Sequence, residues 1–379
     1  MEVRVSLTIK LHLISHLVKM IINQAIIKLN RKCNLKCTYC YYINDNTTRY
    51  GEELPVSTLL SFLDSLKKYA NRAGNSVSVV FHGGEPLMMG LEYFEEALSH
   101  RGFHDKTFFA AVQTNATLLS EKFISLFEKN KVHIGISLDG PQSINDKNRV
   151  FEGGYGSYKI VKRAIDRLNK RQIPFGVLCV VNPEQNASAI YSGLRALGVR
   201  RMDFLPQMES VESLGIENKK ILETKNFFSD LLNVWLPEAD SVDVRIFNTM
   251  FKKSIGVNGD LSTLGGSIDH DFIILETNGT MTIAEEFDNI NINNAEKIIV
   301  PFQLDFNIEK FIEKSKKFYS DYNLDKPCNT CMSCEHFDLC GGGHPSTRYA
   351  DGNFNRPSVY CSTYYEMAKR VKILTREFQ

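Results

Sequence analysis

Residues 24–40 read QAIIKLNRKCNLKCTYC. The apolar run over residues 24–29 predicts a buried β-strand, and cysteines 33, 37 and 40 follow it in the spacing C-x3-C-x2-C. Three thiolates cannot complete the ligand set of a cubane of four irons, so one iron would keep the open position that substrate chemistry needs. A structural zinc site would need a fourth ligand nearby, and the next histidine is His82. This stretch therefore predicts a reactive iron–sulfur site directly after the first strand.

Outward from this stretch, short apolar runs alternate with longer helical patterns as far as about residue 240. The expected strands lie at residues 24–29, 77–81, 107–112, 132–137, 175–181 and 202–205. The expected helices lie near residues 56–71, 91–100, 120–130, 157–171, 188–197 and 217–236. Such strand–helix units predict an α/β fold with a parallel sheet and right-handed crossovers, either doubly wound or a partial barrel.

Polar and glycine residues directly follow several of the expected strands. They are His82-Gly83-Gly84-Glu85-Pro86, Thr114-Asn115, Leu138-Asp139-Gly140 and Asn182. In α/β sheets, binding sites form at the carboxyl ends of the strands, so these residues are candidates for one site. Each motif taken alone could instead be only a turn.

The composition excludes some classes of partner. The chain has 379 residues and a formal net charge of +1, which favours neither nucleic acid nor an anionic membrane as a partner. No apolar run is long enough to span a membrane. Most of the nine cysteines fall into two groups and no secretory signal is recognisable, which favours metal ligation in a reducing cytoplasm.

Four segments are expected along the chain. They are a helical N-terminal extension (1–24), the strand–helix region (25–240), a linker or bridging region (241–270) and a C-terminal domain with the second cysteine group (271–379). Within the last segment, a hairpin around Asn278-Gly279 is expected over residues 271–283, followed by a helix near 308–319.

The second cysteine group allows two interpretations. The run Cys331-x2-Cys334-x5-Cys340-x3-His344 offers three thiolates and an imidazole, which is a ligand set of structural zinc. A zinc-binding interaction module without redox chemistry is therefore one hypothesis. With Cys361 or Cys328 as a fourth thiolate, the same run could instead hold a [4Fe–4S] cluster.

The first cysteine motif, together with Phe81-His82-Gly83-Gly84-Glu85-Pro86, resembles the radical S-adenosylmethionine (SAM) superfamily. The resemblance implies a partial (β/α)6 barrel of the TIM type with a [4Fe–4S] cluster on Cys33, Cys37 and Cys40. It implies that SAM chelates the open iron and is cleaved to a 5′-deoxyadenosyl radical, which abstracts hydrogen from the substrate. It also implies a set of residues that contact SAM, namely Tyr39, His82, Gly83, Gly84, Glu85, Pro86, Asn115, Ser137, Asp139 and Arg149.

Within that set, the resemblance implies separate roles. The segment from Gly83 to Pro86 would meet the methionine ammonium through backbone carbonyls and the Glu85 carboxylate. Asn115, Ser137 and Asp139 fall where the family contacts the ribose and the carboxylate of SAM. Arg149 would pair with that carboxylate.

The second cysteine group resembles the SPASM extension of peptide-modifying radical SAM enzymes, which carries two auxiliary [4Fe–4S] clusters. Against that pattern, Ala284 stands where a cysteine is expected after Gly279, no cysteine stands shortly before Gly279, and His344 replaces the last cysteine of the run. All these departures affect the ligands of one auxiliary cluster. The four cysteine ligands of the other auxiliary cluster are present, namely Cys331, Cys334, Cys340 and Cys361. We therefore expect a reduced SPASM-like domain with one auxiliary cluster, and Cys328 is left over.

The tail from Cys340 to Cys361 is similar to the XYE, GRRM and FxsB-type peptide maturases, which build three-residue cyclophanes. The resemblance implies that the substrate is a ribosomally made precursor peptide, in which an aromatic ring carbon is joined to a β-carbon two residues on. The auxiliary cluster would accept the electron that the ring loses. Glu285 is the candidate base for the proton, with Glu286 and Asp288 as rivals. A flavodoxin or ferredoxin would be the electron donor.

A second hypothesis within the same class is thioether formation or β-carbon oxidation of a peptide or protein, which includes sulfatase maturation. The retention of cysteines for only one auxiliary cluster argues against the sulfatase-maturing type.

Overall fold

The computed structural model describes residues 21–40, 42, 53–207, 209–215, 218–257, 264, 272–283, 299–300, 306–324 and 327–377. The predicted N-terminal extension lies almost entirely outside these residues, as does most of the expected linker.

The described strands form one open sheet in the order β10-β9-β8-β1-β2-β3-β4-β5-β6-β7. Strands β8, β1 and β2 to β7 are parallel neighbours, whereas β9 and β10 are added antiparallel. The strands are β1 (Gln24–Lys28), β2 (Val77–His82), β3 (Phe108–Thr114), β4 (His133–Ser137), β5 (Phe175–Val181), β6 (Arg201–Pro206), β7 (Asp243–Val244), β8 (Phe272–Leu275), β9 (Met281–Thr282) and β10 (Ile299–Val300). The predicted α/β fold with a parallel sheet is confirmed, and all six predicted strands are present.

Helices connect the parallel strands in the predicted order. They span Val56–Ala73, Leu91–Leu98, Arg101–His104, Glu121–Lys129, Gln142–Asn148, Tyr158–Lys170, Ala187–Ala196, Val211–Leu214, Lys219–Trp235, Arg245–Ser254, Ile308–Asp321, Asn329–Met332, Phe337–Cys340 and Cys361–Glu377. Short 3-10 helices span Pro86–Met89, Leu236–Glu238 and Pro345–Arg348. Side-chain caps begin several of the helices, because an amide or hydroxyl oxygen accepts a bond from an otherwise unpaired backbone N–H. Asn186, for example, accepts from the Ala189 N–H at 2.8 Å.

One face of the sheet packs against helices. On β2, Val77, Val79 and Phe81 are fully buried, and the Phe81 ring meets Phe94 edge-on with centroids 5.4 Å apart. Full burial of each such side chain contributes roughly 1.5–3 kcal/mol. The alternation of buried and half-exposed residues along β2, β3, β4 and β5 places every second side chain on the opposite face.

That opposite face lines an open interior, which we call the lumen. A closed barrel of eight strands fills its interior with layers of side chains, whereas this sheet has two free ends and leaves its inner residues half-exposed. Phe109, on the inner face of β3, is 51% exposed. Gly135 of β4 and Gly176 of β5 are direct partners on this face; the Gln113 side chain fills the space beside Gly135, whereas a Cβ on Gly176 would meet nothing closer than 3.8 Å.

The strand–helix pattern continues for one unit beyond residue 240, where we expected it to break. Strand β7 pairs with β6, and the helix Arg245–Ser254 follows it. A strand of two residues is too short to show a periodicity in the sequence, so the pattern could not reveal it.

The C-terminal region joins the barrel at two places. The predicted hairpin is present as β8 and β9, and β8 lies parallel to β1 with Ile274 opposite Ile26. The helix Cys361–Glu377 packs on the helix Lys219–Trp235, where Arg370 Nη1 donates to the Ser229 carbonyl at 3.0 Å. A single hydrophobic cluster includes residues from Ile22 to Val371, so both regions share one core.

The loop after β1 crosses directly over the end of β2. The Gly84 N–H donates to the Asn30 carbonyl and the Glu85 N–H to the Lys32 carbonyl, both at 2.8 Å. A Cβ on Gly84 would lie 2.0 Å from the Lys32 oxygen, and one on Gly83, whose φ is +129°, would lie 2.5 Å from the Asn30 oxygen. Glycine is therefore required here because two backbones touch, and this contact sets the height of the first cysteine loop above the sheet.

We expect Gly84→Ala to destabilise the protein by about 1–3 kcal/mol or more, because the new methyl group overlaps backbone atoms that cannot rotate away. The midpoint of thermal unfolding and the iron content per chain measure the effect, and we expect both values to be lower in the variant. Gly176→Ala is the matched control, because its Cβ would meet nothing closer than the Arg201 Cβ at 3.8 Å. Equal thermal midpoints for the two variants would show that the crossing tolerates a side chain.

Candidate active site

The first three cysteines lie together on the loop that crosses β2. Cys33 Sγ accepts a hydrogen bond from the Leu35 N–H at 3.4 Å, and the Asn115 amide lies 3.7 Å away. Burial raises the pKa of Cys37 to about 11; the nearby Arg149 opposes this shift, and the neighbouring thiols Cys40 and Cys33 add to it. Uncomplexed, Cys37 therefore stays protonated at neutral pH, and a bound metal would displace its proton.

Glu85 connects the ends of β2 and β3. Its fully buried carboxylate accepts three bonds, from Thr114 Oγ1 at 2.6 Å, the Asn115 N–H at 2.7 Å and the Leu87 N–H at 3.0 Å. Burial raises the pKa of Glu85, although these bonds oppose the shift. The carboxylate thus organises the strand ends, and its contact with an ammonium group stays a prediction.

Tyr39, Asp139 and Arg149 form a buried hydrogen-bonded chain beside the cysteines. Tyr39 Oη donates to Asp139 Oδ2 at 2.7 Å and accepts from Arg149 Nη1 at 2.8 Å. Burial would lower the pKa of Arg149, but Tyr39, Asp139 and Cys37 raise it, so the guanidinium stays charged. Arg149 is 7% exposed and its Nε has no partner among the described residues. The site therefore holds a fixed, partly unsatisfied cation next to Cys37.

The other predicted contact residues stand at the same edge of the sheet. Asn115 Nδ2 donates to Asn34 Oδ1 at 2.9 Å, which attaches the end of β3 to the cysteine loop. Ser137 Oγ accepts from Gln113 Nε2 at 2.9 Å on the lumen side. The fold thus brings Tyr39, the His82–Pro86 motif, Asn115, Ser137, Asp139 and Arg149 to one end of the barrel.

His82 faces the lumen and is held from two sides. Its Nδ1 lies 2.7 Å from the Gly83 N–H and 3.1 Å from Lys28 Nζ. Both neighbours are donors, so Nδ1 is the acceptor and the ring proton of this imidazole is on Nε2. Lys28 is almost fully buried and its Nζ lies 4.6 Å from the centroid of the Tyr42 ring, which compensates the buried charge.

Asp203 and Arg245 form a lumen pair that the sequence motifs did not indicate. Arg245 Nη1 lies 3.1 Å from Asp203 Oδ2, whereas Oδ1 is buried with no partner in the described part of the chain. Leu178 separates Asp203 from Ser137 along the sheet register. The two residues are more than 40 positions apart in the sequence. Only the pairing of β6 with β7 brings them together, so the sequence motifs alone could not reveal this pair.

The residues at this end of the barrel fit an iron–sulfur cluster with SAM. Three thiols share one loop, and a buried arginine nitrogen and the buried Asn30 Oδ1 lack partners among the described residues. Over the same residues, no three His, Cys, Asp or Glu side chains converge tightly enough for one metal ion. A cubane spreads its thiolates over separate irons, so a wider arrangement of cysteines suits it better than zinc.

The second cysteine group brings five thiols together rather than four. Burial raises the pKa of Cys331 to about 12, and the neighbouring thiols of Cys328, Cys361 and Cys340 raise it further. Cys361 lies at the start of its helix. Burial raises the pKa of its thiol, and the neighbouring thiols of Cys340, Cys334 and Cys328 raise it further. The Gly342 N–H lies 3.5 Å from Cys340 Sγ.

His344 takes part in a different local structure. Its Nδ1 lies 2.7 Å from Ser346 Oγ and 3.2 Å from the Ser346 N–H, so this nitrogen begins the Pro345–Arg348 turn. Burial, with a smaller effect from Arg348, lowers the pKa of His344 to about 3, so the ring stays neutral. The preceding glycines 341, 342 and 343 have φ of +57°, +84° and +74°, which explains the Gly-Gly-Gly sequence. One ring nitrogen of His344 is thus already used within the protein.

Glu285 lies outside the described residues, as do its rivals Glu286 and Asp288 and the neighbouring Ala284. Their part in the chemistry stays a prediction. None of the helices in the described ranges combines the length and the hydropathy that a membrane span requires.

Residues 27–192 match the family profile of the radical SAM superfamily. The cysteine-type anaerobic sulfatase-maturating enzyme of Clostridium perfringens is 26% identical over 88% of this chain and 92% of its own length. The serine-type enzyme of Klebsiella aerogenes is 26% identical over 91% of this chain and 84% of its own length.

Solved structures show the same fold. The structure of anSMEcpe with bound AdoMet superposes with a TM-score of 0.80 at 23% identity, and covers 94% of this chain and 100% of that one. With the Cp18Cys peptide also bound, the same protein gives a TM-score of 0.79. Streptococcus suis SuiB bound to S-adenosylmethionine gives 0.65 at 15% identity, over 92% of this chain and 79% of that one.

The cysteine loop, the glycine crossing beneath it and these comparisons lead to one conclusion: residues 27–192 match the radical SAM superfamily, and the chain resembles the anaerobic sulfatase-maturating enzymes and, in fold, SuiB.

Proposed function

We propose that this enzyme modifies a ribosomally made precursor peptide and joins an aromatic ring carbon to a nearby β-carbon, as a three-residue cyclophane. The observation that carries the proposal is the second cysteine group. Thiols for one auxiliary cluster are gathered there, whereas a histidine, His344, stands at a ligand position of the other cluster and its Nδ1 lies 2.7 Å from Ser346 Oγ. This is the reduced arrangement that resembles the cyclophane-forming maturases.

At the first site, Cys33, Cys37 and Cys40 would hold a [4Fe–4S] cluster, and SAM would bind its open iron. SAM bound there would supply a 5′-deoxyadenosyl radical to the lumen. The chain's own residues position SAM: Arg149 offers to the carboxylate its Nε, which has no partner among the described residues, and Tyr39 and Asp139 hold the guanidinium in place.

The lumen provides the space for the peptide. Its wall includes the Gly135–Gly176 pair with the Gln113 amide beside Gly135, the His82 ring, and the Asp203 carboxylate, whose Oδ1 has no partner among the described residues. An aromatic side chain can lie against the backbone at Gly176, where a Cβ would meet nothing closer than 3.8 Å, and the polar groups can bond to peptide N–H and C=O groups. An open interior of this kind suits a chain substrate better than a small closed pocket would.

The reaction must remove one hydrogen atom from the β-carbon, then one electron and one proton from the ring. The five-thiol group would hold the auxiliary cluster that accepts the electron. Glu285 remains the proposed proton acceptor, and Asp203 is a second carboxylate candidate among the described lumen residues. A flavodoxin or ferredoxin would supply the electron that starts each turnover.

A second function is at least as well supported by the relatives. The curated sulfatase-maturating enzymes match across most of this chain, and they favour oxidation of a cysteine or serine β-carbon in a protein substrate. Thioether formation on a peptide belongs to the same group of hypotheses. Ala284 and His344 at two ligand positions of one cluster argue for the reduced cluster set and against the sulfatase-maturing type.

Anaerobic reconstitution distinguishes radical chemistry from a zinc module. We expect about eight irons per chain from two cubanes, and about four in the Cys33→Ala/Cys37→Ala/Cys40→Ala variant, which should no longer cleave SAM. Iron, zinc and sulfide analysis with absorption spectroscopy measures this. One zinc, no iron and no cleavage of SAM would contradict the radical assignment.

Arg149→Lys should weaken SAM binding by roughly tenfold or more, because an ammonium keeps the charge but loses the planar fork. Tyr39→Phe, which removes only the bridging hydroxyl, should weaken it less. Isothermal calorimetry on the reconstituted enzyme measures the dissociation constant. Arg171→Lys is the control, because within the described part of the chain the side-chain partners of Arg171 all lie on the helix Glu121–Lys129, including Glu121 at 3.3 Å. An unchanged dissociation constant in Arg149→Lys would remove Arg149 from the SAM site.

Coexpression with a short peptide encoded beside the enzyme tests the reaction. A crosslink removes two hydrogens per ring and blocks fragmentation between the joined residues in tandem mass spectrometry. Oxidation of serine to an aldehyde also removes two hydrogens, but the product reacts with a hydrazide probe. A crosslinked fragment supports the cyclophane, whereas a hydrazide-reactive product supports the sulfatase-type reaction.

A further inference from the structure

The second cysteine group contains a pair of thiols in direct contact. Cys328 Sγ lies 3.7 Å from Cys331 Sγ, and both residues are buried at 7% exposure. Cys328 precedes the turn Asn329–Met332, and its carbonyl accepts the Cys331 N–H at 2.9 Å. The backbone therefore holds the two side chains next to each other.

Such a short separation has a consequence for ligation. A thiolate binds a metal at about 2.3 Å, so two sulfurs 3.7 Å apart suit one shared tetrahedral ion. In a [4Fe–4S] cluster held by four cysteines, each iron takes one protein thiolate, and thiolates on different irons point away from each other. In this arrangement, only one of Cys328 and Cys331 can serve the cluster at a time.

The other thiols are placed differently. Cys340 and Cys361 raise the pKa of Cys331, and Cys334 acts on Cys361, but none of these three sulfurs forms a hydrogen-bond contact with the pair among the described residues. In a [4Fe–4S] cluster, one ligand position shared by the pair leaves three irons for these three thiols. Five thiols are therefore available for the four irons of one cluster, and Cys328 and Cys331 compete for the same iron.

We propose that Cys328 and Cys331 are interchangeable ligands of the same iron of the auxiliary cluster, with Cys334, Cys340 and Cys361 on the other three. This inference rests on the proposed auxiliary cluster. Exchange needs only side-chain rotation, because both cysteines belong to one hydrogen-bonded turn. The sequence alone suggested Cys328 as a substitute for Cys361; the structure instead places it beside Cys331.

Iron content after anaerobic reconstitution tests the exchange without relying on turnover. We expect about eight irons in the wild type and in both Cys328→Ser and Cys331→Ser, and about four in the double variant. Cys334→Ser is the matched control, because no second thiol lies in contact with its sulfur among the described contacts, and we expect about four irons there. The first cluster, retained in every variant, together with circular dichroism, shows that each protein has folded.

A second measurement follows the thiol itself. In reconstituted Cys331→Ser, Cys328 should resist alkylation until a chelator removes the iron, as peptide mass spectrometry would show. Loss of the second cluster in Cys331→Ser, equal to that in Cys334→Ser, would overturn the exchange. Four irons in the wild type would instead overturn the auxiliary cluster and with it the proposed function, so the two failures are distinguishable.

Discussion

The contact on which the active site depends is the crossing of two backbones at Gly83 and Gly84. The loop that carries Cys33, Cys37 and Cys40 is bonded through its own carbonyls to the end of β2, and no side chain fits between them. This crossing is rigid because backbone atoms on both sides are already paired. The three cysteines are therefore placed relative to the strand ends by main-chain geometry rather than by their own contacts.

A buried electrostatic network completes the site from the other side. Arg149, Tyr39 and Asp139 bond to one another where little water reaches them, so their mutual attraction is stronger than at the surface. The same burial that makes the network strong leaves Arg149 Nε without a partner among the described residues. A fixed cation with an unsatisfied donor is well prepared for a carboxylate, since little reorganisation is needed on binding.

The barrel and the cysteine-rich region act as one body. Strand β8 extends the barrel sheet beside β1, the helix Cys361–Glu377 covers a barrel helix, and one hydrophobic cluster spans both. Cys361 begins that same helix, so the packing that completes the core also brings a thiol to the auxiliary site. The distance between the two cysteine sites is consequently fixed by packing and not by a flexible linker.

The sequence by itself determined the strand–helix order, the two cysteine groups and the motifs at the strand ends, because periodicity and spacing are local properties of the chain. It left two interpretations of His344, as a zinc ligand or as a residue at a lost cluster position, and the structure shows that its Nδ1 contacts Ser346. The sequence does not show which distant segments are in contact. Four features depend on which strands and turns lie side by side. They are the close backbone contact at Gly83 and Gly84, the three donors to Glu85, the Asp203–Arg245 pair and the contact of Cys328 with Cys331. Only the tertiary structure decides that, because packing of the whole core selects the neighbours.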